Sequence, residues 1–135
     1  MARKRSIVSL YRRYPRLLPK NCIECDPGWV EIIDHMCGAI EVYADNELIH
    51  EKEYPEFTSI KEKFGVLQIE IKNSDKIIDL VVKSCEKLSW STCELCGEPG
   101  ELFCSSKWRD WSNYKTLCLE HAIELYYYKI WKEPE

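Results

Sequence analysis

Eighteen consecutive apolar residues occur nowhere in the 135-residue chain, which leaves no candidate membrane-spanning helix, and 31% charged residues favour solubility. Met1-Ala2-Arg3-Lys4-Arg5 leads into no apolar run of the kind that directs secretion. The eight cysteines are therefore expected in the reducing cytoplasm, where thiols serve as metal ligands more often than as disulfides. No linker rich in Pro, Gly or Ser, no internal repeat and no low-complexity tract separates one part from another. The length suits one compact unit with a modest core.

Acids are missing altogether from residues 3 to 20, which hold Arg3, Lys4, Arg5, Arg12, Arg13, Arg16 and Lys20. The rest of the chain carries the other twelve basic groups against all twenty-three acids, so the body is strongly acidic although the formal net charge is only −4. A polyanion would be repelled by most of this surface and attracted only by the N-terminal arm. The arm is then either a solvated helix face that balances the body or a contact for nucleic acid or acidic protein.

What is present in abundance is metal-ligand spacing. Cys93-x-x-Cys96, followed about twenty residues later by Cys118-x-x-His121, supplies four soft donors in two pairs, the usual ligand set of structural zinc. The first pair forms a tight knuckle in which Gly97 lets the backbone turn beneath the metal. Leu102-Phe103-Cys104 and the stretch through Tyr114 predict an irregular hairpin, after which Cys118 and His121 share one face of a first helical turn. Knuckle, hairpin and helix together predict a treble-clef finger. Four protein ligands suit a structural ion, since catalytic zinc usually keeps an open position.

Upstream, Ile7, Leu10, Tyr11, Tyr14 and Leu17 or Leu18 follow helical spacing broken at Pro15, which predicts a short basic helix. Asp26 and Pro27 suit the cap and first residue of a second helix, whose stripe of Trp29, Ile33, Met36, Cys37, Ile40 and Tyr43 runs to about Ala44. Phe57–Phe64 and Val66–Lys72 meet at Gly65 as a half-buried hairpin. Asn73-Ser74-Asp75 then caps a third helix with Ile77, Ile78, Val81, Cys85 and Leu88 as its inward stripe.

In this order, Cys25-Asp26-Pro27-Gly28-Trp29, the Lys61-Glu62-Lys63-Phe64-Gly65 hairpin and the Cys93/Cys96 and Cys118/His121 pairs resemble a group of small bacterial and phage proteins, mostly uncharacterised. The resemblance spans roughly residues 22 to 122. It implies zinc, a cytoplasmic location and bacterial or phage origin, and little about chemistry.

Cys22 and Cys25, with Cys37, could form a second metal site or a redox pair, but His35 and Cys37 diverge on a helix and no strand–helix–strand pattern surrounds the pair. They read more simply as small core residues, as do Cys85 and Cys104. HNH-type nucleases use treble clefs, yet they need a histidine base within the finger and an open metal. His121 is taken by zinc, and His35 and His50 lie outside the finger. Glu62, Glu70 and Asp110 are isolated carboxylates of the kind found on solvent faces. Trp108, Trp111, Tyr114, and Tyr126, Tyr127, Tyr128 and Trp131 on a last helix, exceed what a small finger can bury, so they either cover the seam between finger and body or serve a protein interface or base stacking, with at least one of the consecutive tyrosines left for a partner or a second copy.

The combined expectation is an α+β protein: a helix–hairpin–helix body over residues 1–91 with a basic N-terminal helix, and a treble-clef-like zinc module over residues 92–135 packed on it. One structural Zn2+ is expected on Cys93, Cys96, Cys118 and His121. The protein is expected to be cytoplasmic and non-catalytic, binding a protein partner as an adaptor or inhibitor through its acidic body and aromatic surface. The alternative is a nucleic-acid-binding regulator using the seven basic residues of the arm with Lys107 and Arg109. Self-association is a further partner class; a membrane is not.

Overall fold

The computed structural model describes residues 6–47, 53–105 and 114–129. Arg3, Lys4, Arg5, His50, Lys107, Trp108, Arg109, Asp110, Trp111 and Trp131, all named above, lie outside them. The first helix, α1 (Ile7–Arg13), is capped by Ser6, whose hydroxyl accepts the Ser9 N–H at 3.2 Å. It ends before Pro15, as the restriction on the residue preceding a proline requires. Leu10, Tyr14, Leu17 and Leu18 enter the core.

The segment after α1 runs beside the later hairpin. Ile23–Glu24 (β1) pairs in parallel with Glu56–Lys63 (β2), and Ile60 N–H donates to the Cys22 carbonyl at 2.8 Å. Two residues carry no readable period, so this strand has no sequence signature. A 3-10 turn, Pro27–Trp29, then opens into α2 (Val30–Glu47). The expected stripe is buried: Trp29, Ile33, Met36, Cys37 and Ile40 are fully enclosed. Asp26 makes no capping hydrogen bond; its carboxylate is drawn instead to Lys115 Nζ at 3.7 Å.

β2 and β3 (Val66–Lys72) form the expected antiparallel hairpin, with Lys63 opposite Val66. Phe64 and Gly65 are the whole turn, at φ +54° and +85°, the left-handed pair of a type I′ connection. The Gly65 N–H is held by the Glu62 carboxylate at 2.7 Å. Sheet order is β1-β2-β3, so β3 is an edge.

That edge decides which face α3 (Lys76–Ser89) turns inward. Asp75 caps the helix through the N–H groups of Ile77 and Ile78, each at 3.0 Å. Farther along, Ser89 Oγ accepts the Leu67 N–H at 2.9 Å and Glu86 Oε2 accepts the Ile69 N–H at 3.0 Å, so α3 satisfies strand amides that would otherwise lie open. The inward row is consequently Ile78, Val82, Cys85 and Ser89, while Ile77 and Leu88 of the expected stripe are exposed.

The C-terminal part builds a second sheet in the order β5-β4-β6 from β4 (Glu101–Cys104), β5 (Tyr114–Leu117) and β6 (Tyr128–Lys129). Between β5 and β6 lies α4 (Leu119–Glu124). The expected tyrosine-bearing last helix is corrected here: α4 stops at Glu124, Tyr126 reverses the chain at φ +58°, and Tyr128 pairs with Cys104. The architecture is mixed α+β, with four α-helices and two small sheets among the described residues. None of these helices is long and apolar enough to cross a membrane.

Ser89 is fully buried. Ser89→Ala leaves the Leu67 N–H without a partner and should lower unfolding free energy by about 1–3 kcal/mol, seen as a reduced urea midpoint at unchanged slope.

Candidate metal centre

The knuckle is closed by its own backbone. Thr92 bridges Pro99, Cys93 N–H donates to the Glu98 carbonyl at 2.7 Å, and Gly97 N–H, at φ +82°, returns to the Cys93 carbonyl at 2.9 Å. The second pair comes from the junction of β5 and α4. Cys118 is the N-cap of α4, with its carbonyl accepting the Ala122 N–H at 3.0 Å, and His121 is the third helical residue. Cys118 thus precedes the helical turn on which it was expected.

These two devices bring the four donors together, every ligand atom lying within 4.8 Å of the others. Cys96 Sγ and Cys118 Sγ are 3.8 Å apart, Cys93 Sγ and His121 Nδ1 3.6 Å, and Cys118 Sγ and His121 Nδ1 3.2 Å. A tetrahedral ion with Zn–S of about 2.3 Å and Zn–N of about 2.0 Å sets sulfur pairs about 3.8 Å and sulfur–nitrogen pairs about 3.5 Å apart. The donor set and spacing are compatible with zinc. Burial pushes the Cys93 thiol up, but the main-chain N–H groups of Cys118, Cys96 and Leu95 aimed at its sulfur outweigh that and hold it at about 7. The Cys96 thiol, with burial as its main cause, is pushed up to about 11. One sulfur is therefore close to thiolate at neutral pH, while the other would lose its proton to an ion bound there.

The knuckle is seated on the body at two places. At the first, Gly28 N–H donates to the Glu94 carbonyl at 2.6 Å, and a Cβ on Gly28 would collide with the carbonyls of Cys93 and Glu94. Trp29 beside it donates its indole N–H to the Thr92 carbonyl at 2.9 Å. At the second, Thr116 Oγ1 donates to the Gly65 carbonyl at 2.7 Å, and Gly65 bridges Lys115 at the hairpin tip.

Charge is buried in this seam. Glu94, between the two knuckle cysteines, is only 2% exposed; its Oε1 lies 3.3 Å from Lys115 Nζ and its Oε2 accepts the Asp26 N–H at 3.4 Å. Burial pushes the Glu94 carboxyl above its usual range, against the pull of Lys115. Burial depresses the Lys115 ammonium, but Glu94 and Asp26 more than offset this and raise it.

The other sequence candidates fall elsewhere. Cys22, Cys37 and Cys85 are buried in the main core, and burial raises all three thiols; that of Cys25 is pushed up to about 12. Thiols held protonated in this way make poor nucleophiles. Among the described residues no second group of donors gathers as the four above do. His35 sits on α2, beside a cleft it shares with Glu31 and Glu98. Glu62 caps the hairpin turn, and Glu70 is exposed on β3. In the arm, Arg13 pairs with Asp34 at 3.5 Å and Arg16 with Asp45 at 2.9 Å, the latter also lying over the Tyr54 ring; Arg12 and Lys20 are exposed.

Comparison with protein-family models, with curated proteins and with solved structures gives no match.

Sequence reasoning missed Glu94 and Lys115. A carboxylate between two cysteine ligands carries no local sign of burial, because Asp26 and Lys115, which receive it, are distant in the chain.

Cys96→Ser should lower bound zinc, read by elemental analysis, and destabilise the C-terminal third, whereas Cys22→Ser should leave both nearly unchanged. Lys115→Met strands a buried carboxylate and should cost about 3–5 kcal/mol in chemical denaturation, with much of the loss recovered in the Lys115→Met/Glu94→Gln double variant.

Proposed function

We propose that this protein is a non-catalytic, zinc-braced protein-binding module, acting as an adaptor or inhibitor. The observation that carries the proposal is the convergence of Cys93, Cys96, Cys118 and His121 at tetrahedral spacing. Four protein donors complete the shell of one ion and leave no position for water or substrate. The ion would hold the knuckle to the start of α4, and the knuckle in turn holds the turn at Gly28. The order of knuckle, β4–β5 hairpin and ligand-bearing helix is that of a treble clef, and we read the C-terminal module as one.

Binding of protein is favoured over binding of nucleic acid by what the surface offers. Arg13 and Arg16 are engaged by Asp34 and Asp45, so two of the arm's cations already neutralise the body. Large apolar side chains stand out on the opposite account: Phe64, Leu80, Leu88, Trp90, Leu119, Ile123 and Tyr126 are all exposed.

Affinity capture from the native host at high salt, with metal measured on the same sample, should recover one stoichiometric protein and one zinc per chain. Recovery of DNA or RNA instead, released by salt and lost when the arm's cations are neutralised, would overturn the proposal.

A further inference from the structure

Leu88 looks like a core residue in the sequence, yet α3 leaves it 53% exposed, at a place where three elements meet. The end of α3, the start of α2 and the metal knuckle enclose a cleft of about 470 Å3 there, with Leu88, Pro27 and Ile32 among its apolar lining. That volume falls within the range of ligand sites. The charged side chains of the lining are Glu31 from α2 and Glu98 from the knuckle, with His35 beside them and no lysine or arginine.

Charge selects what this cleft can take. Asp34, Asp45 and Glu94 already hold Arg13, Arg16 and Lys115, whereas Glu31 and Glu98 are exposed and form no ion pair among the described residues. α2 starts and α3 ends at the cleft, so helix ends of opposite polarity offset one another there and the two carboxylates set the sign. A cation is attracted and an anion repelled. Apolar walls with free carboxylates suit lysine or arginine, whose apolar stem carries its charge at the tip. A second cleft, of about 530 Å3, shares His35 and continues past Gly38, Ala39 and Val42, the last 64% exposed. Arg13 and Asp34 in its lining pair with each other at 3.5 Å and add no net charge. Glu31, His35, Gly38 and Val42 recur at helical spacing on one face of α2, over about 16 Å, the reach of about five residues of extended chain.

We propose that this groove docks an extended segment of a protein partner through one basic side chain, lysine or arginine, whose stem lies on Leu88, Pro27 and Ile32 and whose charge meets Glu31 and Glu98. The assignment rests on the protein-binding function proposed above and names the partner's chemistry. The apolar continuation along Gly38, Ala39 and Val42 favours a peptide over a free polyamine, which has nothing to lay there. Glu98 belongs to the knuckle and Glu31 to α2, so the site is complete only with the finger seated on the body.

The test uses the full chain with zinc bound, a library of short peptides and spermine. The central library position is Lys, Arg, Glu or Leu, and the flanking positions vary over Ala, Val and Ser. Peptides centred on Lys or Arg should be selected, with an affinity that falls as salt rises. Glu31→Gln/Glu98→Gln and, separately, Leu88→Ser should each weaken the selected peptide about tenfold or more, and Glu31→Lys/Glu98→Lys should turn the preference to Glu. Zinc content should be unchanged in the Gln variants; if Glu98→Gln loses zinc, Glu31→Gln alone carries the test and should still weaken binding. Selection of Glu or Leu, no selection at all, unchanged affinity in the Gln variants, or spermine binding as tightly as the peptide would overturn the proposal. So would a dimer of the chain that Leu88→Ser dissociates, which would give the cleft to a second copy, or binding gained only when Arg3, Lys4 and Arg5 are replaced by Ala, which would give it to the chain's own arm. A host protein captured equally by wild type and Glu31→Gln/Glu98→Gln would overturn this site alone and leave the adaptor function standing.

Discussion

The bare backbone of Gly28 lying against the Cys93–Glu94 peptide is the contact on which the rest of the molecule turns. A side chain there would meet two carbonyl oxygens, so the knuckle can approach the start of α2 only because none is present. Once they touch, the Gly28 N–H satisfies the Glu94 carbonyl, the Trp29 indole satisfies the Thr92 carbonyl, and the Asp26 N–H reaches the Glu94 carboxylate. Polar groups of the knuckle that would otherwise be buried without partners find them on the body. The turn at residues 26–29 is therefore both the start of the central helix and the floor under the metal site.

Electrostatics follow the same seam. A carboxylate as enclosed as Glu94 is tolerable only with a cation beside it, and Lys115 supplies one while also reaching Asp26. This arrangement adds little net stability over an apolar seam of the same shape, but it penalises any docking in which Lys115 misses its two acids. At the other end of the protein, Arg13 and Arg16 do for α2 and its flank what Lys115 does for the knuckle, placing scattered cations on particular acids of a negatively charged body.

Much of this was legible in the sequence, and what was not has identifiable physical causes. The clustering of Cys93, Cys96, Cys118 and His121, the hairpin that turns at Gly65, the α2 stripe and the Asp75 cap all rest on spacing within a few residues, where local geometry decides. β1 escaped notice because two residues hold no period and its partner lies more than thirty residues away. The inward face of α3 keeps Ile78, Val81 and Cys85 of the expected stripe but not Ile77 and Leu88, which look like core, because Ser89 and Glu86 fix the helix rotation by bonding to β3. Tyr126, Tyr127 and Tyr128 were placed on a helix that ends before them, because the pairing of Tyr128 with Cys104 outweighs helical propensity over so short a segment. Glu94 was invisible for the reason that governs every such residue: its burial depends on groups far away in the chain.

The hairpin tip joins these themes. Gly65 faces inward and is fixed by Thr116 and Lys115, which belong to the strand leading directly into Cys118. Its neighbour Phe64 is therefore aimed outward by a turn whose position depends on the finger. If zinc sets the geometry of Cys93, Cys96, Cys118 and His121, it also sets β5, through β5 the tip, and through the tip the turn that carries Phe64. Loss of the ion would act first on the knuckle and β5, but its reach would extend to the hairpin tip. A metal held in the finger would then act on the body's own hairpin through the Thr116 hydroxyl and the Gly65–Lys115 bridge.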